Sequence, residues 1–391
     1  YLARLRDVAS TVLVMTSAGG LVPLDRAAER PAALLLSGPA AGVRAAAAVA
    51  RANGFPDAVS FDMGGTSTDV CLIAGGVPAP SPSRDIGGFP VRLPALDIHT
   101  IGAGGGSIAR VDAGGALAVG PESAGADPGP ACYGRGGTQP TVTDADLVAG
   151  HLALGSSLPG LGVLDVASAR TALDRARVTA DGVLAVVDAA MAQAVRKVTV
   201  ERGVDPRGLA LVAFGGAGPM HACALADLVG IETVIVPARA GVLCAVGLLG
   251  APVQHDLVRS WAGGDHLVAL GRLAQEAADT VGVRGDVEVV TAIDCRYRGQ
   301  SHELTVPTAD DFHAEHLRRN GYSRPHEAVE VVALRASARV SSPIDIDAFP
   351  PERRISVKGP AVVSEVDCTI WVPDGWRGEP GRGGALLLHR A

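Results

Sequence analysis

The sequence predicts an α/β protein that is followed by a β-rich α+β region. Short apolar runs end directly in glycine or in a polar turn, as in Ala58–Phe61 and Leu209–Phe214, and such runs are typical of buried strands that lead into ligand-binding turns. Segments of small residues with helical character lie between these strands. After about residue 250, strand patterns predominate. We therefore expect a first domain over residues 1–250 and a second domain over residues 251–391.

The elements of the first domain alternate between strands and helices. The predicted strands are 11–15, Leu34–Leu36, Ala58–Phe61, Val70–Ile73, Leu209–Phe214 and Thr233–Val236. The predicted helices are 24–30, 40–52, 165–178, 183–202, 220–229 and Ala240–Leu249. In the second domain we expect a helix over 266–282 and strands over 287–293, 301–306, 328–340, 360–372 and 384–388.

Composition and charge argue against several classes of protein. The chain has 391 residues, more than one ordinary domain needs, and a formal net charge of −7 without a run of Lys or Arg, so we expect no nucleic-acid partner. No uninterrupted apolar stretch reaches the roughly 18 residues of a membrane span, so we expect no membrane association. Six scattered cysteines without a C-x-x-C pair indicate reduced thiols and a cytoplasmic protein.

The strongest motif is Phe61–Asp69, which reads Phe-Asp-Met-Gly-Gly-Thr-Ser-Thr-Asp between two predicted strands. Glycines allow backbone amides to approach a phosphate closely, and hydroxyls add further donors. A carboxylate at a strand end can hold Mg²⁺ directly or through water, so Asp62 is the predicted metal ligand. The predicted nucleotide-binding residues of this motif are Gly64, Gly65, Thr66, Ser67 and Thr68. The alternative interpretation is an ordinary glycine hairpin with polar residues at its tip.

A second glycine motif, Ala213–His221, reads Ala-Phe-Gly-Gly-Ala-Gly-Pro-Met-His. Here a predicted strand leads into a glycine turn and then a helix, whose N-terminus favours an anionic group. The first motif resembles a phosphate loop of the actin/sugar-kinase/Hsp70 ATPase superfamily, and in that superfamily a turn like the second forms the adenosine site. We therefore predict nucleotide binding at Gly215, Gly216 and Gly218. The alternative is a tight turn between a strand and a helix.

The third motif, Asp97–Ser107, combines two polar side chains with a glycine run. Asp97 and His99 alternate on a predicted short strand, so we expect them to share a face and to have catalytic roles. The glycine run is expected to expose backbone amides, and we predict nucleotide binding at Gly104, Gly105 and Gly106. A dinucleotide fingerprint is the competing interpretation, but it fits poorly because a hairpin rather than a helix is predicted to follow. A buried histidine without a site role is the alternative for His99.

Several long stretches resemble the hydantoinase A/oxoprolinase family, which includes N-methylhydantoinase subunits, 5-oxoprolinase and subunits of acetone-type carboxylases. The matching stretches are Leu13–Leu21, Leu36–Val43, Ser60–Ile73, Asp97–Ala109, Gly120–Leu147, Phe214–Ala222, Arg296–Val306, His316–Pro325 and Trp371–Trp376. The chain differs from the usual family pattern at Ala18 and Asp146, where the family has Asn, and at Cys244, where it has a small hydroxyl residue.

The resemblance implies a nucleotide-binding subunit with a ribonuclease H-like ATPase half. It implies that ATP, with Mg²⁺, phosphorylates the oxygen of a small cyclic amide of the hydantoin or 5-oxoproline type, and that water then opens the ring. Asp62 would position Mg²⁺, Asp69 would fix the hairpin, and the segment Asp97–Ser107 would line the cleft near the transferred phosphate. A hydantoinase B-type subunit is the implied partner in an oligomeric assembly.

One expected part of the family pattern is not found in this sequence. Family members begin with a domain that carries another phosphate hairpin, and none precedes Asp62. We therefore expect that this chain lacks the N-terminal domain of the subunit. Two alternatives remain open: a subunit of an ATP-dependent ketone carboxylase of the acetone type, and an inactive truncated subunit kept for assembly.

Overall fold

The fold is described from a computed structural model, over residues 2–81, 84–86, 88–153, 155, 157–158, 162–281, 285–342 and 354–391. These residues form two compact units whose segments alternate along the chain. Unit one comprises the described residues within Tyr1–Ala40, Pro80–Leu96 and Leu248–Ile346. Unit two comprises those within Ala41–Ala79, Asp97–Gly247 and Asp347–Ala391. Strands and helices are numbered below in chain order.

Unit one is built on a six-stranded sheet in which most neighbours are antiparallel. Its strands, in sheet order, are β1 (Leu13–Met15), β2 (Leu21–Pro23), β17 (Val253–Ser260), β20 (Val329–Val340), β18 (Val287–Tyr297) and β19 (Leu304–Val306). Its other elements are α1 (Leu24–Glu29), α8 (His266–Thr280), α9 (Phe312–Asn320) and the short ribbons of β6 (Pro80–Ser81) with β9 (Ala95–Leu96) and β7 (Arg84–Ile86) with β8 (Phe89–Val91). Helix α8 packs on the sheet through buried Leu270, Leu273 and Ala277, which follow helical spacing.

Unit two contains a larger mixed sheet, and its centre is parallel. In sheet order the strands are β10 (His99–Ile101), β4 (Thr68–Ala74), β3 (Ala58–Met63), β15 (Ala210–Phe214), β16 (Thr233–Val236), β25 (Leu386–Arg390), β24 (Trp376–Pro380) and β21 (Val357–Lys358), with β5 (Val77–Pro78) beside β4. The strands β3, β15 and β16 are parallel and almost wholly buried. Near-continuous apolar runs are typical of strands that are covered on both faces.

Helices and hairpins accompany this sheet. They are α2 (Gly38–Ala52), α3 (Val142–Ala149), α4 (Val166–Ala176), α5 (Ala180–Val198), α6 (Gly218–Val229), α7 (Leu243–Leu249), β11 (Ser107–Val111) with β12 (Leu117–Ser123), β13 (Ser157–Leu158) with β14 (Gly162–Val163), and β22 (Ala361–Ser364) with β23 (Thr369–Val372). A capping box of Thr141 and Asp144 starts α3, and the Asp144 carboxylate also accepts the amides of Ala131 and Cys132. The start of α3 is therefore fixed to the preceding loop.

Small residues allow α2 and α7 to approach closely. A Cβ placed on Gly42 would lie 2.6 Å from Cys244 Sγ, and one on Gly247 would collide with the carbonyl of Ala41. Without side chains at these two positions the helix backbones can pack directly on each other. Small residues thus allow α2 and α7 to pack closely. Helix α7 carries Cys244, which belongs to the site around Asp62.

The structure differs from the sequence predictions in several elements and in the grouping of the chain. The predicted strand Leu34–Leu36 is wrong, because Pro31–Leu34 forms a 3-10 turn and Leu36 has a positive φ of 57°. The predicted strand 360–372 is a hairpin of two strands, β22 and β23. The predicted helix 266–282 ends at Thr280, and residue 282 lies outside the described residues.

The two compact units also do not follow the predicted boundary at residue 250. Residues 2–40 group with the segment after residue 247, and the last strands of the chain join the sheet of unit two. Strand β25 pairs antiparallel with β16, and its Leu386 and Leu388 are buried in the core there. Burial of these side chains is worth roughly 1.5–3 kcal/mol each, which explains why the terminal strand lies in unit two.

In the described part of the chain, no single helix has both the length and the hydrophobicity needed to cross a membrane. One pair of helical segments, Val166–Ala176 and Ala180–Arg202, meets the criterion together by length and composition only, and the two are bent by 79°.

Candidate functional site

The predicted phosphate hairpin is formed by β3 and β4. In the register of this antiparallel pair, Asp62 lies opposite Asp69, so the two carboxylates share one face of the sheet. The turn between the strands is closed by a hydrogen bond of 3.1 Å from the Gly64 amide to the Ser67 carbonyl. A Cβ on Gly64 or Gly65 would meet no atom within 4 Å, so the turn has open space above it. Its backbone and the hydroxyls of Thr66 and Ser67 can therefore reach a ligand.

Thr68 has a different role from the one expected. Its side chain is fully buried, and its hydroxyl donates a hydrogen bond of 2.6 Å to the Ala103 carbonyl. The hydroxyl is therefore engaged with the backbone beneath the turn. Of the three hydroxyl residues in the motif, Thr66 and Ser67 are exposed or half-buried and Thr68 is a structural anchor.

The glycine run Gly104–Gly106 packs directly against the phosphate hairpin. The amide of Gly105 donates to the Gly64 carbonyl at 2.9 Å, and the amide of Gly106 donates to the Gly65 carbonyl at 2.6 Å. The amide of Gly104 donates to Ser107 Oγ. The expectation that this run exposes its amides is therefore corrected for all three residues. Since a Cβ on Gly104 would lie 2.6 Å from the Thr66 amide nitrogen, the run holds the turn from behind.

The second glycine motif lies beside the first. Strand β15 runs parallel to β3, and Phe214 is in register with Asp62. The chain then turns at Gly215, whose φ is 81°, and a Cβ there would collide with Asp62 Oδ1 and with the Met63 carbonyl. The amide of Ala217 donates to that same carbonyl at 3.0 Å. Residues 62–68 and 215–218, which are far apart in sequence, thus meet at the carboxyl ends of two parallel strands.

The exposed part of the second turn is Gly216. It has open space where a Cβ would be, whereas Gly215 and Gly218 are buried against β3. Helix α6 begins at Gly218, with Pro219 in its first turn, where the missing proline amide would have no helical partner anyway. The free amides of such a helix start favour a negative group.

The surroundings of the Asp62 carboxyl disfavour its ionised form. Burial raises the pKa of Asp62 to about 6, a hydrogen bond from the Cys244 thiol lowers it in part, and the neighbouring charge of Asp69 raises it again. The thiol sulfur lies 3.3 Å from Asp62 Oδ2. Burial also raises the pKa of Asp69, against a hydrogen bond that its carboxylate accepts from the Thr100 hydroxyl. Among the described residues neither carboxylate forms an ion pair, so a cation would be well matched to this face.

Asp97 and His99 do not share one strand, and His99 does not share the face of Asp69. Asp97 is outside β10, so the prediction that both residues share one strand is wrong, and its carboxylate forms an ion pair with Arg202. His99 is in register with Val70, whereas Thr100 is in register with Asp69. Because neighbouring residues of a strand point to opposite faces, His99 lies on the other face from Asp69. Burial lowers the pKa of His99, and the charge of Lys197 lowers it further against that of Glu201.

A buried charge network beneath the second glycine motif was missed by the sequence analysis. His221, in the first turns of α6, lies with Nδ1 2.8 Å from Asp188 Oδ1 on α5 and with Nε2 3.4 Å from Asp146 Oδ2 on α3. His151 Nδ1 lies 3.1 Å from Asp146 Oδ1, and the His151 ring stacks on Trp371. We call His221, Asp146, Asp188 and His151 the His221 network.

The two carboxylates control the charge of His221. Burial alone would lower the pKa of His221, but Asp146 and Asp188 outweigh it and raise the pKa to about 10. Burial would raise the pKa of Asp146, yet His221 and His151 hold it below its usual range. The imidazolium thus joins α6 to α3 and α5. A signal was available, because His221 lies within the quoted motif and Asp146 is a departure from the family pattern.

Comparison with known proteins shows the family of this chain. A family described as Hydantoinase/oxoprolinase matches residues 3–257. The caprolactamase subunit alpha of Pseudomonas jessenii is 34% identical over an alignment of 435 positions, which covers 92% of this chain and 62% of that subunit. The acetophenone carboxylase gamma subunit of Aromatoleum aromaticum is 38% identical over an alignment of 230 positions, which covers 56% of this chain and 31% of that subunit.

A solved structure shares the fold across the whole chain. The crystal structure of the ATP-dependent caprolactamase from Pseudomonas jessenii superposes with a TM-score of 0.82 at 28% identity, over 100% of this chain and 68% of that one. The predicted class, an α/β fold of the ATPase type with an additional β-rich α+β region, is confirmed by this likeness. The chain belongs to the hydantoinase/oxoprolinase family.

Proposed function

We propose that this chain is the nucleotide-binding part of an ATP-dependent cyclic-amide hydrolase, and that it activates the amide carbonyl by phosphoryl transfer. The observation that carries the proposal is the contact between Asp62 and the turn at Gly215. It gives one sheet edge with an open phosphate-type turn, a buried pair of carboxylates and a helix start. Parallel α/β sheets bind ligands outside the carboxyl ends of their strands, which is where these groups lie.

Each side of the site would hold a different part of the nucleotide. The amide of Gly65 and the hydroxyls of Thr66 and Ser67 would contact the phosphates, because this turn is the open one, whereas the Gly64 amide closes the turn through its bond to the Ser67 carbonyl. Gly216 and the start of α6 would lie under the adenosine. Gly104, Gly105 and Gly106 support the phosphate turn through hydrogen bonds to its carbonyls, and Thr68 anchors it from below.

Asp62 and Asp69 are suited to position Mg²⁺. Two opposed, partly buried carboxylates without an ion pair among the described residues form an oxygen-rich site of net negative charge. Bound Mg²⁺ would neutralise phosphate charge during transfer. The chain would hold the triphosphate in line with the substrate, so that the amide oxygen is placed to accept the terminal phosphoryl group. Water would then add to the carbon that bears the phosphorylated oxygen and the ring C–N bond would break, which releases the amine. A second water would release inorganic phosphate and leave the carboxylate, with a hydantoinase B-type subunit as the proposed partner.

We predict that Asp62→Asn lowers the affinity for an ATP analogue in the presence of Mg²⁺ by at least about tenfold, because the charge facing the metal is lost. Tenfold corresponds to about 1.4 kcal/mol. Asp57→Asn is the matched control, since Asp57 lies at the start of the same hairpin and its carboxylate accepts the Gly75 amide at 2.8 Å, a bond that asparagine can keep. Titration calorimetry with and without Mg²⁺ measures both. Equal affinities of Asp62→Asn and the wild type would contradict the proposed role.

A second candidate is an ATP-dependent ketone carboxylase subunit, which the likeness to the acetophenone carboxylase gamma subunit supports. Both reactions would use the same nucleotide site, so the distinction lies in what stimulates ATP cleavage. With the partner subunits supplied, stimulation by lactams or hydantoins without bicarbonate supports the hydrolase. Stimulation that requires a ketone together with bicarbonate supports the carboxylase.

A further inference from the structure

Unit one contains a cavity of about 220 Å³ that the proposed nucleotide site does not use. Its lining residues come from helix α1 and the residues after it, from strand β17 and from helix α8. Apolar side chains, among them Val22, Leu34, Leu93 and Leu257, line its interior. Pockets for drug-sized ligands are roughly 300–1,000 Å³, so this cavity suits a smaller molecule.

One wall presents a positive charge that lacks a partner. The Arg30 guanidinium, at the end of α1, forms no hydrogen bond or ion pair with any residue in the described part of the chain. Arg26, one turn earlier, is already paired with Glu29 at 3.1 Å. A guanidinium binds carboxylates with two parallel hydrogen bonds, so Arg30 is suited to a carboxylate on a ligand.

Strand β17 and helix α8 contribute two negatively charged side chains to the cavity. Asp256 on β17 accepts hydrogen bonds of 2.8 Å from the Gln254 side-chain amide, which is neutral and leaves the carboxylate charge uncompensated. Glu276 on α8 pairs with Arg259 at 2.9 Å. Asp256 is therefore the better partner for a positively charged group on a ligand, and Glu276 adds negative potential nearby.

Charged side chains of both signs act on the ring of His255. Burial lowers the pKa of His255, and the charge of Arg30 lowers it further. Asp256 raises the pKa, Arg26 lowers it and Glu276 raises it. Side chains of both signs thus act on one imidazole that lines the cavity, and His255 itself forms no hydrogen bond through its ring with the residues that the structure describes.

We propose that this cavity binds a short ω-amino acid, with the carboxylate on Arg30, the ammonium on Asp256 and the aliphatic chain on the apolar walls. The ligand class rests on the proposed function. When water opens a lactam, the C–N bond breaks, the carbonyl carbon becomes a carboxylate and the ring nitrogen leaves as an amine, which is protonated at neutral pH. The product is a zwitterion whose charges are separated by a short apolar chain, and Arg30, Asp256 and apolar side chains all line this cavity.

The test is titration calorimetry of the full chain with ε-aminocaproate and δ-aminovalerate, compared with hexanoate and hexylamine, which carry one charge each. We expect saturable binding of at least one ω-amino acid, at least tenfold tighter than that of either singly charged compound. Arg30→Gln and Asp256→Asn should each weaken it at least tenfold. The matched controls are Arg6→Gln and Asp25→Asn, which remove the same charges from an exposed ion pair of unit one outside the cavity.

Each outcome supports or overturns the proposed ω-amino acid site. Absence of saturable ω-amino acid binding, or equal binding by the wild type and by both cavity variants, would overturn the inference. If an ATP analogue still binds in that case, the proposed nucleotide site stands without this cavity. If ω-amino acids bind as expected while the nucleotide analogue does not, the cavity stands and the proposed function fails.

Discussion

Substitution of Gly215 by alanine is expected to destabilise the chain by about 2–5 kcal/mol and to abolish nucleotide binding. A left-handed backbone costs a non-glycine residue roughly 1–2 kcal/mol, and forcing extra atoms into a packed site costs about 1–3 kcal/mol more. Both apply here, since φ is 81° and the new Cβ would collide with Asp62 Oδ1 and the Met63 carbonyl. The midpoint of urea unfolding measures the loss of stability.

The neighbouring residue provides the control. Gly216 has no positive φ and no atom within 4 Å of the position of a Cβ, so Gly216→Ala should change stability by no more than about 0.5 kcal/mol. If Gly216 lies under the nucleotide as proposed, the same substitution should still weaken binding of an ATP analogue. Equal unfolding midpoints for the two alanine variants would show that the turn at Gly215 does not have the described geometry.

Substitution of His221 by alanine is expected to cost about 3–5 kcal/mol at neutral pH. It would remove the imidazolium from between two buried carboxylates, and breaking a buried ion pair by removing one partner is strongly destabilising. His389→Ala is the control in the same unit, because His389 is only half-buried and makes a single hydrogen bond, at 3.2 Å, to Thr233. A loss of stability no larger than that of His389→Ala would contradict the assigned role of the network.

The pH dependence of this effect has a defined sign. Because the pKa of His221 is raised to about 10, its contribution is fully present below the unfolded value near 6.5 and is lost as the pH rises through 10. Because the pKa of Asp146 is lowered, its contribution is present above the unfolded value of about 3.8 and is lost as the pH falls further. The difference in stability between the wild type and His221→Ala should therefore be largest between about pH 4 and 6.5, and it should narrow as the pH rises toward 10. A difference that does not narrow on either side would contradict the ionic description.

Sequence alone predicted the parts of the site that are local. The hairpin around Asp62 follows from two apolar strands that flank glycines, and the turn at Gly215 follows from a strand, a glycine pair and a helix start. Such motifs depend on backbone conformations that particular residues allow, so they are visible in a single sequence. The segments involved form these elements in the structure.

The roles that depend on long-range contacts could not be predicted. The amides of Gly105 and Gly106 have partners more than thirty residues earlier in the chain, so their use as a support for the turn becomes visible only in the fold. The position of His99 on the far face depends on the pairing of β10 with β4. The His221 network joins three helices, and the pairing of β25 with β16 depends on which core has space for Leu386 and Leu388. None of these partners is fixed by local sequence pattern.

The central claim is that the Asp62 hairpin and the Gly215 turn bind the same nucleotide. Hydrogen–deuterium exchange of the full chain, with and without a non-hydrolysable ATP analogue and Mg²⁺, tests it most directly. We predict that peptides covering 62–69 and 213–221 become protected together, and that both lose this protection in Asp62→Asn. Protection of only one of the two segments, or of neither at saturating nucleotide, would contradict the claim.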